Sequence, residues 1–232
     1  MRVVRRTRES IEAWLLNPAP GSKTAAARDF GIDLTLLIER LRRTPEERLR
    51  ELQGFIDFRE AVRGEQGQRM TNIEKALVAL VRHEVAFVVV GGVAASLHGS
   101  SLATFDLDIC YSREPGNLGR LATALAPFNP RLRDRPAALS FVWDTSTLRN
   151  GFNFTLATDV GGVNLLAEVA GVGDFAVAMR SSVFKELCGF RIAVLSLDAL
   201  ISAKRAAGRP KDLLVVPELE SLRESASEPQ DD

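Results

Sequence analysis

The sequence predicts an α/β fold, α+β in detail: a mixed sheet flanked by helices, preceded by a module made of helices alone. Three observations predict it. Phe87-Val88-Val89-Val90 is a β-branched run with no polar face, as a central strand covered on both sides requires. Two glycines and a helix-compatible segment follow directly, and Asp106-Leu107-Asp108-Ile109-Cys110 then alternates as a second strand does. Ahead of residue 66, apolar residues recur only at helical spacing.

Residues 1–66 form the expected N-terminal helical module. A first short helix over 9–16 stops at the breaker cluster Asn17-Pro18-Ala19-Pro20-Gly21. Ser22 is placed as N-cap of a helix over 23–30, which Gly31 ends. A third helix, 33–43, carries Leu34, Leu37, Ile38 and Leu41 on one stripe. Thr44-Pro45-Glu46-Glu47 reads as N-cap, proline at the first turn and acid at the third position, starting a helix that reaches Val62. The turn around Gly31 has helix-turn-helix spacing, and Arg40, Arg42 and Arg43 are candidate contacts to DNA phosphates. The alternative is a helical hairpin that packs on the rest of the chain or on another chain.

Polar, flexible residues 64–67 mark the boundary to a second domain, 67–224. Thr71 is expected to cap a helix over 72–83 with Ile73, Leu77 and Leu80 inward. After the two strands, Pro115 opens a helix with Leu118, Leu121 and Leu125 on its inner side. Residues 129–150 read as an irregular loop, with Arg131, Arg133 and Arg135 offered to a nucleotide, a nucleic acid or solvent, and Phe141-Val142-Trp143 as a short strand. The runs 152–158 and 163–169 flank Asp159-Val160-Gly161-Gly162, a hairpin signal. A second pair, 182–187 and 190–195, flanks Cys188-Gly189, and helices over 197–207 and 211–222 close the domain. An acidic tail, 225–232, follows.

The totals bound the function. With 232 residues there is enough chain for one sizeable core and an appendage. Thirty basic residues balance thirty acidic ones, so no global field recruits a polyanion and any such contact must be local. The longest nearly apolar run, 85–97, is interrupted by glycines and too short for a bilayer, so no membrane partner is expected. The basic start lacks an apolar stretch behind it and is not a secretory signal. Cys110 and Cys188, far apart among apolar neighbours, read as two reduced thiols of a cytoplasmic protein.

The candidate chemistry lies between residues 91 and 108. Residues two apart on a strand share a face, so Asp106 and Asp108 project together and offer hard oxygen ligands to Mg²⁺ or Mn²⁺. Gly91 and Gly92 let backbone N–H groups at a helix start approach an anion, and Ser96 on that helix is a candidate phosphate donor.

Gly91-Gly92, the stretch from Ala94 to Gly99 and Asp106-Leu107-Asp108, in this order behind one apolar strand, resemble the signature of the polymerase-β-type nucleotidyltransferase superfamily. In particular they are similar to small bacterial nucleotidyltransferases of type IV and related toxin–antitoxin systems. The resemblance extends over roughly residues 71–222. It implies a nucleotidyltransferase-like sheet and metal-dependent transfer of a nucleoside monophosphate from an NTP to a protein, tRNA or small-molecule hydroxyl. Residues 1–66 look like the small helical proteins that accompany such enzymes.

The resemblance also implies a third carboxylate on a neighbouring strand, where this chain has Asn164. An amide is a neutral, weaker ligand and a poor base, so two outcomes stand open. Either Asp106 and Asp108 suffice for slow transfer with Asn164 positioning the acceptor, or general-base help worth typically ~10²–10⁴-fold is lost and the site binds a nucleotide without efficient turnover. Glu168 has the right parity but lies about 13 Å further along the strand at ~3.3 Å per residue. Lys204 and Arg209 sit in a basic stretch similar to the segment that such enzymes bring over the β- and γ-phosphates, with Lys211 and Asp212 placed to cap or pair beside it. The arginine expected near Leu102 or Ala103 is absent. The rival expectation is a catalytically degenerate interaction or DNA-binding antitoxin-type protein on the same fold.

Overall fold

The computed structural model describes residues 7–62, 72–102, 104, 106–133 and 141–226, and of residues 8 and 56–62 the backbone alone. Thr71, the boundary at 64–67, Arg135 and the tail from 227 lie outside the described residues.

Four helices open the chain: α1 (Arg8–Leu16), α2 (Lys23–Asp29), α3 (Leu34–Arg42) and α4 (Pro45–Val62). Thr7, Ser22 and Asp33 cap the first three through their side-chain oxygens. At the fourth, Thr44 Oγ1 accepts from Glu47 N at 3.1 Å while Glu47 Oε2 accepts from Thr44 N at 2.6 Å, a reciprocal capping box. Their apolar stripes, with Leu15, Ala27, Leu37, Ile38, Leu49 and Leu52, belong to the same buried cluster as the strands.

Asn72, rather than Thr71, caps α5 (Ile73–Arg82). Then come β1 (Phe87–Val90), α6 (Gly91–His98), β2 (Asp106–Tyr111), α7 (Pro115–Leu125), β3 (Arg131–Leu132) and α8 (Thr145–Asn150). The chain continues through β4 (Phe154–Thr158), β5 (Gly161–Leu166), β6 (Glu168–Val169), β7 (Gly173–Asp174) and α9 (Phe175–Arg180). It ends with β8 (Ser182–Leu187), β9 (Phe190–Leu195), α10 (Leu197–Ala207), α11 (Pro210–Leu213) and α12 (Val216–Ser225).

Seven strands form one mixed sheet in the order β3-β4-β5-β2-β1-β9-β8. β2 runs antiparallel to β1 and parallel to β5, and β1 runs parallel to β9. β1 is buried along its whole length, as its unbroken apolar run predicts, and α6 and α9 both pack on β1 and β2. The two hairpins, β4–β5 and β8–β9, form, but the first turn is tighter than expected: Gly161 and Gly162 pair with Thr158 and Ala157 as the start of β5.

Three local expectations are corrected. Phe141-Val142-Trp143 is not a strand: Val142 is 61% exposed, and the next residue, Asp144, starts α8 by accepting from Thr147 N. The strand expected over 163–169 ends at Leu166, because Ala167 N turns to Asn153 Oδ1 at 3.0 Å; Glu168 then pairs with Asp174 in a separate two-stranded sheet. The last helix divides into α11 and α12. Among the described residues no helix is long and apolar enough to cross a membrane.

Side chains lock the N-terminal helices to the rest. Glu224 of α12 accepts from Lys23 N (2.9 Å), Thr24 N (2.7 Å) and Thr24 Oγ1 (2.7 Å) at the start of α2. Buried Arg48 of α4 donates to the carbonyls of Arg40 and Leu97, both at 2.7 Å, joining the ends of α3 and α6. Arg42 pairs with Glu12, and Arg40 and Arg43 with Glu51. The three arginines that the sequence offered to DNA thus each have an acidic partner within the chain.

Candidate functional site

Strand register sets out the site in two rows across one face of the sheet. Val90, Asp108, Asn164 and Thr155 stand side by side on β1, β2, β5 and β4. Beside them run Asp106, Gly162, Ala157 and Arg131 on β2, β5, β4 and β3. Residues directly opposite one another share a face, so both aspartates project together as their spacing predicts.

The glycines after β1 answer to Asp108 and Thr104. Gly91 has φ +65°, and a Cβ there would lie 2.0 Å from Asp108 Oδ2; a Cβ at Gly92 would lie 2.5 Å from Thr104 Oγ1. Asp108 thus sits against the start of α6 and accepts from Gly92 N–H, which satisfies one of the helix's open donors. Its Oδ1 accepts from Asn164 Nδ2 at 2.7 Å. Burial pushes the Asp108 carboxyl above its usual range against the opposing bond from Asn164; the charge of Asp106 adds to the rise, and Lys204 works against it.

Asn164 occupies the place in register with Asp108 where a third carboxylate was expected. Its amide has one sensible orientation, since the reverse would set two oxygens against each other. Its own Oδ1 is buried with no hydrogen-bond partner among the described residues. An unpaired buried acceptor costs free energy, so it marks a position made for a ligand or a donor.

Asp106 is held differently. Arg133 donates through Nη1 to Oδ2 (2.9 Å) and through Nη2 to Oδ1 (2.8 Å), a bidentate pair with both side chains about one-third exposed, at 31% and 32%. Gly162 makes room for it: a Cβ there would lie 1.9 Å from Arg133 Nη2 and 2.0 Å from Asp106 Oδ1.

A cavity of about 500 Å³ opens in front of Asp108. Gly91, Asn164, Lys204, Arg209 and Asp212 line it with Asp108, over an apolar floor that includes Leu166, Leu195 and Leu200. Lys204 and Arg209 both bind Asp212, Nζ to Oδ1 at 2.7 Å and Nε to Oδ2 at 2.5 Å. Burial opposes ionisation of Asp212, but these two bonds outweigh it and hold the carboxyl below its usual range.

Asp106 and Gly92 adjoin this cavity through Asp108 rather than lining it, and Ser96 is turned away. Ser96 is buried, with its hydroxyl directed to the carbonyl of Leu102 at 3.4 Å, so its expected phosphate contact is replaced by a local bond. His98 also faces inward, bonding the Leu195 carbonyl at 2.9 Å; burial pushes it down to about 4, so it is neutral at pH 7. Burial pushes the Cys110 thiol up to about 12, leaving it inert.

The donor set decides which metal the site could hold. Among the described residues no group of three or more histidine, cysteine or acidic side chains converges. Two carboxylates and the Asn164 amide oxygen are all hard ligands and too few for a closed cage. They fit a cation such as Mg²⁺ that keeps water and takes substrate phosphate oxygens to complete its shell.

No protein-family model matches the chain, and no curated protein matches it in sequence. Among solved structures, it is similar to a protein of Thermotoga maritima provisionally described as a nucleotidyltransferase. Identity is 19%, with 63% of this chain and 88% of that one covered and a TM-score of 0.43.

Two contributors to the site, Gly162 and Arg133, escape a reading of the sequence. Gly162 looks like hairpin punctuation, yet its missing side chain admits the Arg133–Asp106 pair. Arg133 reads as one of several loop arginines, whereas Asp212, placed to cap or pair, does pair and joins Lys204 to Arg209.

Proposed function

We propose that the chain is a nucleotidyltransferase that moves a nucleoside monophosphate from an NTP to a hydroxyl acceptor, with Mg²⁺ or Mn²⁺ held by Asp106 and Asp108. One observation carries the reading: two carboxylates on one face of β2 stand beside the Gly91–Gly92 start of α6, and Lys204 and Arg209 line the cavity in front of Asp108. The sequence resemblance supports the same reaction class and is the sole support for a protein, tRNA or small-molecule acceptor and for a toxin–antitoxin setting.

In this reaction the acceptor hydroxyl's oxygen bonds to the α-phosphorus while its proton passes to water, the bond from that phosphorus to the bridging oxygen breaks, and pyrophosphate leaves with the electron pair. The metal, when bound, neutralises phosphate charge and orders the reacting oxygens. Asn164 and Gly92 N–H hold Asp108 in position beforehand, so less ordering remains to be done on binding. Lys204, as a point charge, and Arg209, as a planar fork, offset the charge of the triphosphate while Asp212 fixes their spacing.

Asn164 favours a second reading, nucleotide binding with little turnover, since an amide cannot take the acceptor proton. Incubation with an α-labelled NTP and Mg²⁺ separates the two. Label transfer or pyrophosphate release, abolished in Asp106→Ala and Asp108→Ala, establishes the enzyme. Tight nucleotide binding without release establishes the second reading, and neither would overturn both.

A further inference from the structure

We propose that Arg133 is a displaceable internal cation on Asp106, which makes metal binding depend on the triphosphate. The inference rests on the nucleotidyltransferase reading above and deepens it. The two carboxylates are held in opposite ways. Asp108 is held by neutral donors, the Asn164 amide and Gly92 N–H, which carry no charge to repel an arriving cation. Asp106 has both oxygens on the Arg133 guanidinium. A divalent ion that uses Asp106 must take at least one of them from Arg133, and two cations crowded on one carboxylate repel each other.

The pair is built into the sheet. Arg133 is anchored by its own N–H to the Thr155 carbonyl at 2.9 Å, one position beyond the end of β3. Its side chain crosses β5 to reach β2, passing over Gly162, whose position would be blocked by any Cβ. Glycine inside a strand weakens that strand, and no positive φ calls for it here, so admitting the guanidinium is the reason on view. Partial exposure of both partners leaves the pair exchangeable, unlike a fully buried one that would be costly to break.

Once off Asp106, the guanidinium can turn to the anionic oxygens that an NTP bound before Asp108 would bring to the same face. Metal and nucleotide therefore bind cooperatively: each supplies what the other's arrival displaces.

Mn²⁺ titrations followed by electron paramagnetic resonance test this on the full chain, with and without a nonhydrolysable NTP. The wild type is expected to bind Mn²⁺ weakly alone and at least about tenfold more tightly with the nucleotide, a typical coupling. Arg133→Gln should bind Mn²⁺ alone about tenfold more tightly than wild type, with the nucleotide-linked gain correspondingly reduced. Arg133→Lys, which keeps the charge without the bidentate fork, should fall between and carries the test if the glutamine variant does not melt cooperatively. Arg133 variants that bind Mn²⁺ alone no better than wild type, while Asp106→Asn abolishes binding, overturn the latch and leave the enzymatic reading standing. Mn²⁺ binding with nucleotide that is untouched by Asp106→Asn overturns the enzymatic reading, and the latch with it.

Discussion

Asp108 is where the site works against the fold. Its carboxyl is raised by burial, so the native protein binds this proton more tightly than the unfolded chain does. Stability is then lost as pH rises from the ordinary value of 3.8 through the higher native one. Asp108→Asn, measured by calorimetry in EDTA, should raise Tm at pH 7, because the amide carries no charge to bury. The gain should shrink as the pH is lowered toward 4; a gain independent of pH, or a loss, would contradict the assignment of the penalty to charge burial. Residue types alone made Asp106, Asp108 and Gly91 legible in the sequence, because their chemistry and local spacing coincide. The Arg133–Asp106 pair was not legible: its partners are 27 positions apart, and only the strand order brings them together.

At the scale of elements, α6 carries the site at its first turn and is fixed to the sheet at its last. His98 there bonds the Leu195 carbonyl and is pushed down to about 4 from an ordinary 6.5 by burial. The unfolded chain binds its proton first, so the stability contribution is whole above pH 6.5 and is lost as pH falls toward 4. That loss amounts to on the order of 3 kcal/mol. Urea titrations of His98→Gln should show a lower stability at pH 7 and a flatter dependence between pH 6.5 and 4; an unchanged slope would mean that other groups set it. The long elements were readable because period and caps agreed, as in α3, α4 and the β8–β9 hairpin. The six-residue helices α8 and α9 were not, since so few residues show no period, and their only signals were the caps Asp144 and Asp174. The end of β5 depended on Asn153, a side chain outside the strand.

In the whole molecule, one buried cluster runs from Leu15 in α1 to Leu222 in α12, so the first four helices share their core with the sheet that bears the site. The sequence placed a boundary at residues 64–67 and left open what the helical module packs on, because it shows helical stripes but not what they face. Glu224, at the far end of the chain, caps α2 through three hydrogen bonds. Glu224→Ala should therefore cost about 1–3 kcal/mol of global stability. In urea, a single shifted transition is expected; a separate early transition of the N-terminal helices, with the main one unmoved, would show that they fold on their own. Everything proposed for function depends on Asp106 and Asp108 acting as one ligand pair before the Gly91 turn. A crystal of the full chain soaked with Mn²⁺ and a nonhydrolysable NTP tests this most directly. The account predicts an anomalous Mn²⁺ peak between the two carboxylates, with the triphosphate running toward Lys204 and Arg209. Nucleotide bound elsewhere, or Mn²⁺ absent from both aspartates with the triphosphate in place, would contradict it.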